Sequence, residues 1–212
     1  LLGGEKIVVV RADSTCIDAG AATAAAERLV TSEKVAAIMG ADCSGVTTAI
    51  ANNVAVPNGV PMISPSATSP ALTTIEDNGY FFRTAPSDAR QGQVLAKIVM
   101  DRGISEIAVT HTNNDYGKGL TDSFNSAYTA LGGKISATVP HEDGKADYSA
   151  EVASLDASGA EVLAVFGYVD QGGRYMIQTS LDTGAFDKFI LADGMYGDSL
   201  LENIDGDLTG TF

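Results

Sequence analysis

"VAAIMGADCSGVTTAIANNVAVPNGVPMISPSATSP" (residues 35–70) carries one strand–helix–strand pattern. The apolar run 35–40 ends in glycine, as a short buried strand does. Residues 44–57 read as a helix that stops before Pro57, because proline disfavours helical geometry in the residue ahead of it. Residues 60–64 form a second apolar run. A strand, a crossover helix and a returning strand imply parallel pairing. The loop that follows, "PSATSP" (65–70), is small, hydroxylated and uncharged. Its two prolines fix φ and remove donors, which makes a rigid rim rather than a linker. The intervening hydroxyls and amides suit a rim that receives a ligand.

The same rhythm extends in both directions. "KIVVVRAD" (6–13) reads as a β-branched strand and "AGAATAAAERLVTS" (19–32) as an alanine-rich helix. "GYFFRTA" (79–85) is extended. Then follow helix 88–102, strand 106–111, helix 117–131, strand 134–140, helix 147–158 capped by Asp147, strand 161–167, helix 171–183, strand 188–193, a short helix near 197–204 and a last strand 208–212. Continuous apolar strands separated by helices indicate an α/β fold with parallel sheets covered on both faces. The regular alternation breaks between Pro65 and Thr84 and restarts near Ser87, so a boundary between two lobes is expected around Arg83–Pro86. In doubly wound sheets ligands sit beyond the carboxyl ends of the strands. The segments found there are "ADCSG", "PSATSP", "TNNDYGKG", "YVDQGG" and "DGMYGD", all polar, small or tyrosine-bearing.

Composition excludes several classes. The 212 residues are 45% hydrophobic and 19% charged, enough for a proper core. A formal net charge of −14 argues against nucleic acid and anionic membrane surfaces, which select basic patches. No apolar run reaches the roughly 20 residues of a membrane span. No leader pattern is read at the N-terminus, where "LLGGEKIVVV" places a glycine turn directly before the first expected strand, as in a mature or cut chain.

Sequence motifs give no support to a nucleotide or a metal, and no cofactor is expected. There is no Walker A sequence, and no G-x-G-x-x-G follows the first strand. "YGKGL" (116–120) is better explained by close helix packing than by a phosphate loop. His111 and His141 are the only histidines and lack partners at ligand spacing. Hydrolase chemistry has no G-x-S-x-G elbow. Among the many carboxylates, Asp193 stands apart because it follows "FILA" at a strand's carboxyl end; it is either a helix cap or the acceptor of a cationic group. Tyr116 and Tyr168 also follow strand ends, as packing residues or as ligand walls. Ser44 opens a helix, where an N-cap role coexists with anion binding at the positive helix end, and Thr68 could add donors to the same carboxylate. Cys16 and Cys43 are either two buried thiols or one disulfide; their spacing does not decide.

Together, "CIDAGAATAAAERLVTSEKVAAIMGADCSGVTTAIANNVAVPNGVPMISPSATSPALT", "YFFRTAPSDARQGQVLAKIV", "IAVTHTNNDYGKGL" and "FGYVDQGG" resemble, in this order, the periplasmic leucine/isoleucine/valine-binding proteins, the type I amino-acid receptors of ABC importers. The resemblance implies two doubly wound lobes joined by a hinge that close on ligand, without catalysis. It implies part of lobe 1 in 1–84, lobe 2 in 85–209 and the start of a second crossover in 210–212, with family segments missing at both ends. It assigns the ligand carboxylate to Ser44 and to Ser66, Ala67 and Thr68, a ligand-contacting role to Tyr116 and Tyr168, and the ammonium to Asp193, where the best-known members carry glutamate. It also implies a Cys16–Cys43 disulfide, a periplasmic location, a free amino acid, most simply a branched-chain one, as ligand in an interlobe cleft, and ABC permease subunits as partners. Two other readings are a ligand-sensing domain of a signalling receptor or regulator on the same fold, and a small α/β hydrolase.

Overall fold

The computed structural model describes residues 3–4 and 6–212. Leu1, Leu2 and Glu5, part of the expected turn before the first strand, lie outside the described residues. The chain divides into two compact units: one runs to Thr68 and resumes over Leu72–Pro86, the other comprises Ser69–Ala71 and Ser87–Phe212.

In the first unit, α1 (Ala19–Thr31) starts where the Asp18 carboxylate accepts the Ala21 N–H at 2.8 Å. This is the ordinary way to satisfy a donor left over in the first turn. Strands β1 (Ile38–Met39), β2 (Met62–Ser64) and β3 (Phe81–Arg83) pair in parallel in that order. Helix α2 (Ser44–Ile50) continues as a π-helical turn over Ala51–Ala55, so the expected helix ends just short of Pro57. Strand alternation divides the sheet cleanly. Ile38, Met62 and Phe81 lie in register and are buried, whereas Met39, Ile63 and Phe82, also in register, are exposed. The expectation of a sheet covered on both faces therefore holds for one face of this unit only, among the described residues.

The expected strand 6–13 does not form. Residues 6–13 have no regular secondary structure, and Ile7, Val8 and Val9 are exposed. β-Propensity expresses a fit to neighbouring strands, and no described strand lies beside this run to supply the ladder.

Cys16 and Cys43 are disulfide-bonded, with Cα atoms 5.3 Å apart and a separation of 27 positions in sequence. Closing a loop of this length stabilises by about 3.5 kcal/mol on the chain-entropy model. Reduction is expected to lower the urea midpoint correspondingly. Thiol titration of the denatured, unreduced protein should find almost no free thiol; two reactive thiols per chain would refute the bond.

The second unit has a four-stranded parallel sheet in the order β5-β4-β6-β7, with β4 spanning Glu106–Thr112, β5 Lys134–His141, β6 Leu163–Phe166 and β7 Phe189–Leu191. Helices α3 (Asp88–Asp101), α4 (Asp115–Ala130), α5 (Ser149–Asp156) and α6 (Arg174–Thr183) alternate with them, and α7 (Asp198–Glu202) follows β7. Two apolar clusters pack in this unit. One gathers Leu120, Phe124 and Tyr128 of α4 with Ile107, Val109 and Phe166; the other gathers Val152 and Leu155 of α5 with Leu163, Val165, Met176 and Ile177. Side chains that alternate along β4 and β6 go to opposite clusters, which is why these strands read as continuous apolar runs.

Three boundaries differ from expectation. Asp147 accepts the Ser149 N–H at 2.9 Å, but Tyr148 occupies the cap position of α5. The helix expected over 171–183 is a π-helical turn, Val169–Gly173, followed by α6. The expected strand 208–212 is absent; Phe212 alone exchanges backbone hydrogen bonds with β7, accepting the Leu191 N–H and donating to the Phe189 carbonyl.

Candidate functional site

In the first unit the loops after β1 and β2 are tied together. The Ala41 carbonyl accepts the hydroxyls of Thr47, at 3.2 Å, and Ser64. Ser64 Oγ in turn accepts the amides of Ala67 at 3.0 Å and Ser66 at 3.4 Å. Arg83, from the "FFR" strand, donates to the Ala67 carbonyl at 3.3 Å. The rigidity expected of "PSATSP" is present, but Ser64 is its hub, a residue read only as a strand end. The Ser66 and Ala67 amides, expected to serve a ligand, are turned onto that hub. Thr68, at the end of this loop, is nearly buried. Ser44 is buried, and it is the first residue of α2 rather than its cap. Cys43 holds the cap position without a side-chain hydrogen bond, its sulfur being committed to the disulfide.

In the second unit, β4, β6 and β7 are adjacent and parallel, so the residues following them converge at one edge. Tyr116 enters on the first turn of α4, where Asn114 Oδ1 accepts the Tyr116 and Gly117 amides at 3.0 and 3.1 Å. Its ring stacks on Tyr168, with centroids 4.9 Å apart and planes 21° from parallel. Its hydroxyl donates to Asp193 Oδ1 at 2.7 Å and accepts the Gly194 N–H at 3.1 Å. Gly194 has no room for a side chain: a Cβ there would meet the Gly167 carbonyl and lie 2.8 Å from Tyr116 Oη. The three sequence-predicted residues Tyr116, Tyr168 and Asp193 are thus brought together. Tyr116 itself is 2% exposed, whereas Asp193 is exposed.

The edge is electronegative. Burial, followed by the charge of Asp193, raises the Tyr116 hydroxyl well above the usual phenol range. Burial also raises Tyr168, followed by the charges of Asp143, Asp193, Asp88 and Asp115. Both phenols stay neutral donors in a field set by carboxylates. Such a field favours a cationic group.

Sequence reading missed one neighbour of Asp193. Gln91, on α3, donates from Nε2 to Asp193 Oδ1 at 2.9 Å, across 102 positions, and nothing local in the sequence signals it. His111 makes a hydrogen bond between Nδ1 and the Thr112 carbonyl at 3.0 Å. No group of metal-ligating side chains occurs among the described residues.

The periplasmic binding protein family profile matches residues 2–212. The chain belongs to the periplasmic binding protein family. An amino acid binding protein of Pseudomonas aeruginosa is 32% identical over 97% of this chain and 54% of its own. The leucine-specific-binding protein of Salmonella typhimurium is 30% identical over 96% and 54%. The crystal structure of a leucine binding protein from Thermotoga maritima superposes with a TM-score of 0.78 at 28% identity, covering 87% of this chain and 52% of that one. The chain spans about half the length of the curated relatives it matches. The family is one of solute-binding proteins rather than enzymes, which sets aside the hydrolase reading, and the type I α/β architecture with parallel sheets agrees with it. No helix among the described residues is long and apolar enough to cross a membrane.

Proposed function

We propose that this chain is the ligand-binding part of a periplasmic receptor that delivers a free amino acid, of branched-chain type, to an ABC importer. The observation that carries the reading is the Asp193 carboxylate, exposed at the strand-end edge and held from behind by the Tyr116 hydroxyl. A fixed carboxylate in an electronegative setting suits an α-ammonium group. Tyr116, buried and engaged, acts through Asp193, and Tyr168 offers the apolar surface. In the first unit Ser44 and Thr68 take the α-carboxylate, with the Ser64-centred hydrogen bonds fixing the loop that bears Thr68. The names of the relatives support the substrate class.

The test is a thermal-shift panel on the natural full-length protein, with confirmation by native mass spectrometry. It covers the L-amino acids, their deaminated analogues and simple aromatic acids. Leucine, isoleucine or valine should raise the midpoint more than any deaminated partner, since binding only to the native state stabilises it. A shift with aromatic acids and none with amino acids would overturn the reading.

A further inference from the structure

We propose that Gln91 is a positioning residue for ammonium recognition: it fixes Asp193 so that a single carboxylate oxygen, Oδ2, faces the ligand. The inference rests on the amino-acid reading above and specifies how its cationic end is selected.

Asp193 lies on a short 3₁₀ turn at the exposed edge, where a carboxylate would ordinarily rotate freely. Here Oδ1 accepts two donors from two different helices: Tyr116 Oη at 2.7 Å from α4 and Gln91 Nε2 at 2.9 Å from α3. Two donors on one oxygen fix the torsion of the carboxylate and leave Oδ2 for the ligand. Both donors are uncharged, so neither competes with an incoming cation as lysine or arginine would. Gln91 is set at this point by α3 itself, which begins at Ser87, whose Oγ accepts the Ala89 amide at 3.3 Å. One residue further on, Gly92 lets α3 press against α4: a Cβ there would lie 2.6 Å from the Phe124 amide nitrogen and 2.8 Å from the Ser123 carbonyl carbon. The close approach of the two helices brings Gln91 and Tyr116 to the same acceptor.

The arrangement makes a specific demand. Removing the Gln91 donor should weaken ligands that carry an ammonium and leave untouched those that lack one. It should do so only while position 193 is a carboxylate. The variant Gln91→Met keeps the length of the side chain and removes the donor. Calorimetry is performed on the natural full-length protein with L-leucine and 4-methylpentanoate, its deaminated analogue, in the wild type, Gln91→Met, Asp193→Asn and the double variant. Gln91→Met is expected to lower leucine affinity about 10-fold, as for loss of a hydrogen bond to a charged group, and to leave 4-methylpentanoate unchanged. In the Asp193→Asn background the same change should cost leucine no more than about twofold, so that the cycle shows clear coupling. An equal loss for both ligands, or an equal loss in both backgrounds, would make Gln91 a general support of α3 and overturn the proposal. So would an unchanged leucine affinity. A wild type that binds neither leucine nor any other free amino acid would instead overturn the amino-acid reading, and the role of Gln91 with it.

Discussion

Asp193→Asn is expected to reduce amino-acid affinity by about 30-fold to several thousandfold, the range found when one partner of a desolvated charge pair is truncated. The substitution is sharper here than its small size suggests. The new side-chain amide would keep an oxygen at the Oδ1 position, so Tyr116 and Gln91 retain their acceptor and the turn keeps its shape. What changes is the other atom: Oδ2, a charged acceptor, becomes an amide donor. An ammonium that enters the site loses its counter-charge and meets N–H groups instead. Leaving a cation unpaired as water is excluded is costly, and the cost appears as lost affinity. The deaminated analogue brings no cation and should lose far less. Calorimetry of both ligands against both proteins closes a double-mutant cycle. A coupling energy near zero would reduce Asp193 to a turn residue and remove the case for an amino acid.

The two units were not equally legible in the sequence. β4, β6 and β7 are read directly because a strand covered on both faces is largely apolar, and the runs "IAV", "LAVF" and "FIL" within them meet that demand. "KIVVVRAD" meets it as well, yet remains unpaired, because a strand exists only through neighbours that its own residues do not encode. "LTGTF" fails for a related reason: only Phe212 reaches β7, and residues 209–210 turn away.

The site shows the same division. Asp193, Tyr116 and Tyr168 were identifiable because a parallel sheet delivers the residues after its strands to one edge, so position along the chain predicts position in space. Gln91 lies in the first turns of a helix, where a polar residue is unremarkable by any periodic test. Its meaning comes only from the packing of α3 on α4. In the first unit, the sequence shows hydroxyls around "PSATSP" but does not distribute the work between them. Ser64, one residue before the loop, has its hydroxyl at the centre of the turn, and so takes the amides that Ser66 and Ala67 were expected to offer.

Mild acid should destabilise the second unit through His141. The imidazole sits at the end of β5, 1% exposed, with Nδ1 at 2.8 Å from Thr110 Oγ1 and Nε2 without a hydrogen bond among the described residues. Its surroundings are close-packed. A Cβ at Gly167 or Gly172 would lie 3.0 or 3.1 Å from Nε2, and the Tyr148 ring meets it edge-on, with centroids 6.2 Å apart. Burial first, then the charge of His111, lowers its pKa from 6.5 to about 3. The folded value lies below the unfolded one, so the unfolded chain binds the proton more readily. The stability tied to the neutral ring is complete above pH 6.5 and is lost as the pH falls towards 3. At 1.36 kcal/mol per unit the loss is about 3 kcal/mol near pH 4.5 and about 5 kcal/mol if the native state persists to pH 3. Total stabilities are only about 5–15 kcal/mol. Asp143, two residues on, acts in the opposite sense, because burial raises its carboxyl against the hydrogen bonds from Thr112 and the Gly172 amide. The two contributions are separated by His141→Asn, whose amide can keep the Thr110 hydrogen bond but does not titrate, while Asp143 is common to both proteins. Urea midpoints measured from about pH 8 down to about pH 5 should fall steeply in the wild type. In the variant they should start lower, from lost packing, and stay nearly flat over the same interval. Parallel slopes would show that the acid sensitivity does not reside in the buried imidazole.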